Sequence, residues 1–192
     1  FVLYIGRVVE SKGCRDLFDR WAKWRAREPG RRVTLVLAGH PEMPIPARDD
    51  VRHVGVVSEQ EKYDALAACT ALVVPEVLSS MSMVTLEAWA CGRPVICDAR
   101  SAVVWGMTRR ARAGLAQRDA GELGEIVGML CDDAALADRL GASGKAFVAR
   151  TYTWPRIVQT YLDMFAEVRT RNAERPSTRN AERPSTRTAY SA

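Results

Sequence analysis

Short, continuously apolar runs recur along this chain of 192 residues, and a glycine or proline closes most of them. Runs of this length are typical of strands that are buried on both faces of a parallel sheet. Helical patterns separate the runs, and each connection is long enough for a crossover between parallel strands. The predicted strands cover residues 1–5, 33–38, 51–57, 71–74 and a segment that begins at residue 95. The sequence therefore predicts an α/β fold with a doubly wound, Rossmann-like parallel sheet, whose ligands lie at the carboxyl ends of the strands.

Start and stop signals place helices between these strands. Leu17, Trp21 and Trp24 share one face of a helix that ends near Pro29. Ser58 has the features of a helix N-cap, because acidic residues follow it in the first turn. Helices are predicted over residues 58–69, 83–91, 119–131 and 133–150, with a last one that begins near residue 154 and runs through residue 168.

Two segments carry no packing pattern. Residues 99–113 contain a cluster of Arg109, Arg110 and Arg112, which fits a solvated basic loop as well as a loop that faces a ligand. The tail, residues 170–192, repeats one polar octapeptide, since residues 170–177 recur unchanged as residues 178–185. So polar a segment cannot bury enough surface to fold, and we predict that the tail is disordered. We expect one domain over residues 1–169 and, because residue 1 already lies within a strand, a chain that is the latter part of a longer protein.

Charge and cysteine content narrow the class of function. The net charge is +5, but the five Arg and two Glu of the tail account for +3 of it. About +2 remains for the domain, so no nucleic-acid partner is predicted. The five cysteines are odd in number and lack CxxC spacing, which fits reduced thiols in the cytoplasm. The sequence has neither an apolar run of membrane-spanning length nor a signal peptide, so we predict a cytoplasmic location, and without a metal-ligand cluster we predict neither metal nor cofactor.

The stretch from residue 75 to residue 96 is the predicted active site. An apolar run stops at Pro75, a loop of small polar residues and methionines follows, and a helix begins near Met83. The N–H groups at the start of a helix are unpaired and lie at the positive end of its dipole, which suits phosphate or sugar oxygens. Glu87, one turn into this helix, is the only acid between Val77 and Ile96.

A second motif follows the first strand. The turn Gly-Arg-x₄-Lys-Gly over residues 6–13 places Arg7 and Lys12 at the carboxyl edge of the predicted sheet. The two cations suit a diphosphate. The alternative is that Arg7 and Lys12 are merely exposed at a helix start. The helix dipole disfavours cations there, and a bound phosphate would explain why two of them are present.

These motifs together resemble those of a known family. Residues 6–13, residues 85–96 and the closing Tyr152-Thr153-Trp154 are similar to the C-terminal, donor-binding half of the group 1 retaining glycosyltransferases of GT-B fold. The similarity runs from residue 1 to about residue 168. It implies the donor half of an enzyme that transfers a sugar, with retention of configuration, from a nucleotide-diphosphate sugar to an unknown acceptor, which could be a glycan, a lipid or a small molecule.

The resemblance also implies roles for individual residues. Arg7 and Lys12 would hold the diphosphate, and Glu87 would bind the ribose hydroxyls; these three are the implied catalytic residues. The backbone of residues 80–84 would line the sugar and phosphate, and the end of the third strand would border the base. The implied donor-binding residues are Gly6, Arg7, Lys12, His53, Val54, Val57, Ser79, Ser80, Met81, Ser82, Met83, Val84 and Glu87.

The chain departs from the family pattern in two ways. The family carries two glutamates eight positions apart, and the first of them falls on Ser79, while Glu76 lies three residues early. The acceptor site belongs to an N-terminal domain that 192 residues cannot also contain. We therefore expect no activity without that domain, and membrane association only through it. The alternative is a non-catalytic nucleotide-sugar-binding or interaction module; a dehydrogenase-like domain is disfavoured because Gly-x-Gly-x-x-Gly does not follow the first strand.

Overall fold

The structure is a computed structural model that describes the backbone of residues 1–174 and the side chains of residues 1–172. Six strands form one parallel sheet in the order β3-β2-β1-β4-β5-β6. The strands are β1 (Val2–Ile5), β2 (Leu35–Ala38), β3 (Val51–His53), β4 (Ala71–Val74), β5 (Val95–Asp98) and β6 (Gly114–Gln117). The predicted doubly wound α/β sheet is confirmed. From β1 the strand order continues to β2 and β3 on one side, and to β4, β5 and β6 on the other. The order reverses between β1 and β4, and a crevice lies there.

The helices and their caps follow the sequence signals closely. Ser58 forms a capping box with Glu61, and Asp119 accepts hydrogen bonds from the N–H groups of Gly121 and Glu122. The helices are α1 (Cys14–Arg27), α2 (Glu59–Ala68), α3 (Met83–Ala90), α4 (Ala102–Ala111), α5 (Ala120–Asp132), α6 (Ala134–Thr151) and α7 (Trp154–Glu174), and a 3-10 turn spans Glu10–Lys12.

Three boundaries differ from the prediction. The third strand stops at His53 rather than at residue 57, because Gly55 turns the chain with φ of +80°. The second strand begins at Leu35, the residue that pairs with Val2. Residues 99–113, which gave no pattern, contain α4 and lead into β6, a strand that the sequence did not indicate.

Two apolar clusters fill the two faces of the sheet. One face packs Trp21 and Trp24 of α1 against Leu123 and Val127 of α5. Trp21 in this cluster, and Trp89 in the cluster on the other face, have no exposed surface. The other face joins α3, α4 and α6, with Trp89 and Phe147 in edge-to-face contact at 5.9 Å. The sheet is therefore covered on both sides, as continuous apolar strands require.

The chain divides into two compact units, Phe1–Tyr152 and Thr153–Ala192. The described part of the second unit is α7, whose larger apolar side chains, including Trp154, Tyr161 and Phe165, are exposed. α7 continues to Glu174, five residues into the segment predicted to be disordered from residue 170, since the first proline beyond it is Pro176. The rest of the repeat lies outside the described residues. Within residues 1–174, no helix is long and apolar enough to cross a membrane.

Candidate functional site

A cavity of about 530 Å³ opens at the crevice between β1 and β4. Its wall combines the ends of these two strands with the loop that leads into α3. The lining residues are Tyr4, Ile5, Gly6, Lys12, Val73, Val74, Pro75, Glu76, Leu78, Ser79, Ser80, Met81, Ser82, Met83 and Val84. The structure thus brings together Gly6, Lys12 and residues 79–84 of the predicted site, at the edge of the sheet where a ligand was expected.

Glycines let the strand ends approach closely beside this cavity. Gly39 has φ of +137°, and a Cβ there would lie 2.0 Å from the carbonyl oxygen of Gly6. Its N–H donates to the carbonyl of Gly55 at 2.7 Å, so the ends of β1, β2 and β3 form one connected rim. The Tyr4 hydroxyl donates to the carbonyl of Arg7 at 2.6 Å, and burial raises the pKa of Tyr4 well above its usual value. Tyr4 therefore remains a neutral donor that holds the turn after β1.

The turn that carries Lys12 packs directly on the site loop. Gly13 has φ of +76°, and a Cβ there would lie 2.4 Å from the carbonyl oxygen of Pro75. This contact places Lys12 against the residues that follow β4, where its Nζ donates to Glu76 Oε1 at 2.7 Å. The Lys12 side chain is 38% exposed and that of Glu76 is 16% exposed. The cavity consequently contains an ion pair beside its polar loop.

The other predicted cation lies apart from the cavity wall. Arg7 donates from Nη1 to Glu42 Oε1 at 3.1 Å, and its side chain is 60% exposed. The predicted pair of cations is therefore divided: Lys12 lines the cavity, and Arg7 reaches it only by turning its flexible side chain away from Glu42.

The start of α3 supplies unpaired N–H groups to the cavity. Ser82 occupies the N-cap position without a side-chain capping bond, and its Oγ instead accepts from the Thr85 hydroxyl at 2.9 Å. Ser58 shows the contrast, because its side chain caps α2. Met83 and Val84, the first residues of α3, line the cavity. Their backbone N–H groups are thus suited to donate hydrogen bonds to an anionic ligand.

Glu87 lies outside the cavity lining, one turn further along α3. Its Oε1 accepts from Lys62 Nζ of α2 at 3.0 Å, and Lys62 also bonds Glu59. Burial lowers the pKa of Lys62, but the two carboxylates outweigh it and raise the pKa, so Lys62 is a cation. The side chain of Glu87 is 23% exposed, and Lys62 holds it in position.

The residues predicted to border a base lie at the end of β3. His53 Nε2 is 2.8 Å from the carbonyl oxygen of Gly39, Val54 is 43% exposed, and Val57 is half-buried. β3 lies two strands from β1, or roughly 10 Å. His53, Val54 and Val57 do not line the cavity but extend along the same edge of the sheet.

Sequence reasoning missed three residues of this region, and it did not predict the partner of Glu76. Tyr4, Glu42, Glu76 and Lys62 hold or neutralise the predicted site residues. Glu76 carried the one available signal, since it is an acid within the predicted site loop. Among residues 1–174, no group of three or more His, Cys, Asp and Glu side chains is placed to hold a metal ion.

Known proteins match most of this chain. A family model described as Glycosyl transferases group 1 matches residues 1–133. The chain is 27% identical to alpha-maltose-1-phosphate synthase of Mycobacterium tuberculosis, over 86% of this chain and 47% of the relative. It is 32% identical to D-inositol 3-phosphate glycosyltransferase of a Nocardioides species, over 90% of this chain and 43% of the relative. The chain therefore spans about half the length of these relatives.

Solved structures share the fold. The sucrose-phosphate synthase of Thermosynechococcus elongatus superposes with a TM-score of 0.68 at 26% identity, over 86% of this chain and 45% of that one. Anabaena HepE, solved in complex with UDP-glucose, gives a TM-score of 0.70 at 17% identity, over 86% of this chain and 48% of that one. Both matched structures are about twice as long as the region that they share with this chain.

Proposed function

The chain belongs to the group 1 glycosyltransferases, and from that membership we propose that it is the donor-binding half of a retaining glycosyltransferase. The donor is a nucleotide-diphosphate sugar, and the acceptor is a glycan, a lipid or a small molecule. HepE, which shares the fold, binds UDP-glucose. The proposal extends that class of ligand to this chain.

One observation carries the proposal. The cavity at the crevice between β1 and β4 combines the Lys12 ammonium with the uncapped start of α3. An ammonium and a set of helix N-terminal amides are both complementary to phosphate oxygens.

The residues take the following roles in the proposed reaction. When the bond between sugar and diphosphate breaks, negative charge develops on the departing nucleoside diphosphate. Lys12 and the amides of Met83 and Val84 stabilise that charge, and Arg7 adds to them when it leaves Glu42. Glu87 binds the ribose hydroxyls through the carboxylate oxygen that Lys62 leaves free.

The remaining predicted residues border the donor. Residues 79–84 enclose the sugar and the phosphates, Gly6 gives the diphosphate close access to the backbone, and the end of β3 borders the base. We place the reaction in the cytoplasm, a location supported by the free thiols of all five cysteines.

A second function is favoured by a specific observation. Ser79 lines the cavity where the family carries a glutamate, and both predicted cations are already paired with carboxylates. These features fit a module that binds a nucleotide sugar weakly and does not transfer it. We propose that catalysis requires an acceptor domain in addition to this chain, so binding rather than turnover is the test.

Thermal denaturation with a panel of nucleoside diphosphates and their sugars tests donor binding. A ligand at 100 times its Kd stabilises the folded state by about 2.7 kcal/mol, which raises Tm by several degrees. Lys12→Ala should weaken nucleoside diphosphate binding by about 1.5 to 3 kcal/mol, because it removes a charge-assisted bond inside the cavity. Arg7→Ala is the matched comparison and should cost less, since Arg7 lies outside the lining. A panel without any stabilising member would contradict the proposal.

A further inference from the structure

Glu76 is the only acid, and Lys12 the only base, among the described residues that line the cavity. Their side chains meet at 2.7 Å, and Glu76 is the more buried of the two. The function proposed above accounts for Lys12 but gives no role to the carboxylate beside it. A carboxylate in a site for a dianion weakens the binding of that dianion. The presence of Glu76 should therefore affect which ligands the cavity binds.

The fold keeps Glu76 close to any group that Lys12 binds. Glu76 is the second residue after β4. Pro75, the residue before it, is in contact with Gly13, the residue after Lys12. An ammonium has three N–H donors, so Lys12 can bond Glu76 and a phosphate oxygen at the same time. A diphosphate bound to Lys12 therefore lies within a few ångströms of a second anion.

We propose that Glu76 discriminates between donor and product by charge, an inference that rests on the proposed function. The diphosphate of a nucleotide sugar is a diester with two negative charges. A free nucleoside diphosphate has a terminal phosphate whose second ionisation lies near neutral pH, so it carries up to three. Glu76 repels the additional charge, disfavours the product relative to the donor, and thereby promotes product release.

The expected size of the effect follows from electrostatics. Unit charges about 6 Å apart change a Kd by about threefold in bulk water and by about a hundredfold at the effective dielectric typical of a protein surface. Because the terminal phosphate is only partly doubly ionised near neutral pH, we expect an effect between these limits, at about tenfold. Glu76 is 16% exposed, so solvent screens it incompletely. Glu28 offers a matched control, because it pairs with Arg31 at 3.2 Å and neither residue lines the cavity.

The test is a set of calorimetric Kd values for UDP, UDP-glucose, GDP and GDP-mannose with the full chain and two variants. Glu76→Gln keeps the shape of the side chain and removes its charge. It should tighten binding of the free diphosphate that the chain recognises by about tenfold, and binding of the corresponding nucleotide sugar by less than threefold. Glu28→Gln should change the ratio of the two Kd values by less than twofold.

A measurement on the wild-type chain avoids any folding defect of the variant. The β-methyl ester of the recognised nucleoside diphosphate has the two charges of the donor but no sugar. The wild-type chain should bind this ester more tightly than the free diphosphate, by about tenfold, and Glu76→Gln should abolish the difference.

Two outcomes would overturn the inference while leaving donor binding intact. Equal affinity of the wild-type chain for the ester and the free diphosphate would remove the charge effect. A selective loss of nucleotide-sugar affinity in Glu76→Gln would make Glu76 a sugar ligand instead. If the wild-type chain binds none of these nucleotides, the proposed function itself fails, and this inference fails with it.

Discussion

Ser79 is the residue at which this chain differs most consequentially from its family pattern. It lies in the cavity wall between Leu78 and Ser80, and its hydroxyl is short and neutral. A carboxylate at this position could accept hydrogen bonds from sugar hydroxyls, whereas serine leaves that space to water. Glu76 is no substitute in the structure, because its carboxylate faces Lys12. The sugar should therefore add little attractive contact of its own.

Ser79→Glu should strengthen binding of the nucleotide sugar by about 1 to 2 kcal/mol, the worth of one or two hydrogen bonds to a charged group. The free nucleoside diphosphate should gain nothing, since it lacks the hydroxyls. Calorimetric titration of both ligands measures the two changes. Ser80→Glu, whose side chain also lines the cavity, is the control for added charge. Equal effects on both ligands would show that position 79 does not face the sugar.

At the residue scale, the sequence predicted the groups that line the cavity better than it predicted their partners. Lys12 and residues 79–84 do come together in one wall. The pairing of Lys12 with Glu76 joins positions 64 apart, and that of Lys62 with Glu87 joins positions 25 apart. Local patterns carry no information on contacts between separate elements, because those depend on how the elements pack. The roles of the site residues stay predictions.

At the scale of the elements, the turn before α1 links the site loop to the rest of the sheet. Gly13→Ala would force a left-handed conformation on a residue with a side chain and drive its Cβ into the Pro75 carbonyl. We expect at least tenfold weaker nucleoside diphosphate binding, together with a lower Tm. Gly30→Ala is the matched control, since no atom lies within 4 Å of the added Cβ. Unchanged binding in Gly13→Ala would mean that the contact with Pro75 does not position Lys12.

A buried ion network joins α1 to the end of β5. Asp98 accepts from Arg20 Nη1 at 2.9 Å and from Arg100 Nε at 2.9 Å, and its side chain is 1% exposed. Burial alone would raise the pKa of Asp98, but the bonds from Arg100 and Arg20 outweigh it and lower the pKa below its usual value. The ionised form is therefore more stable in the folded chain than in the unfolded chain.

The sign of the pH dependence follows from that lowered pKa. Asp98 contributes its full stability above its unfolded pKa, about 3.9, and loses it as the pH falls through the lower folded pKa. Asp98→Asn should reduce the free energy of unfolding by about 2 to 3 kcal/mol at pH 7, and the gap to wild type should narrow below about pH 4. Urea unfolding of the variant and the wild type at pH 7, 4 and 3 measures this gap. Asp132→Asn, at an exposed pair with Arg31, is the control and should matter much less. A gap that widens in acid would contradict the network.

The strand that the sequence missed has a weak local signal. β6 reads Gly-Leu-Ala-Gln and lacks the β-branched residue that each of the other strands contains, and Gly114 lets its backbone approach β5. A Cβ at Gly114 would lie 2.0 Å from the Val95 carbonyl oxygen. Strands β1 and β4 and all the capped helices were predictable, since their signals are local.

At the scale of the whole sheet unit, helix glycines set how closely neighbouring helices pack on each face of the sheet. On one face Gly124 of α5 lies against the Trp24 ring, and on the other Gly144 of α6 lies against the Trp89 ring. Trp89 cannot retreat, because it has no exposed surface and its indole N–H donates to the Ala113 carbonyl at 2.9 Å. The spacing between α1 and α5 on one face, and between α3 and α6 on the other, thus depends on the absence of a side chain at these positions.

Gly144→Ala tests this dependence through the sign of its effect. Alanine normally stabilises a helix relative to glycine by about 0.5 to 1 kcal/mol. At Gly144 the new Cβ would lie 2.6 Å from Trp89, and such overpacking costs about 1 to 3 kcal/mol. We therefore expect a lower Tm. Gly106→Ala in α4, whose Cβ meets only the flexible Arg110 at 3.6 Å, should raise Tm by a few degrees. Thermal denaturation of the two variants decides, because a stabilised Gly144→Ala would show that α6 can move away from α3 without loss.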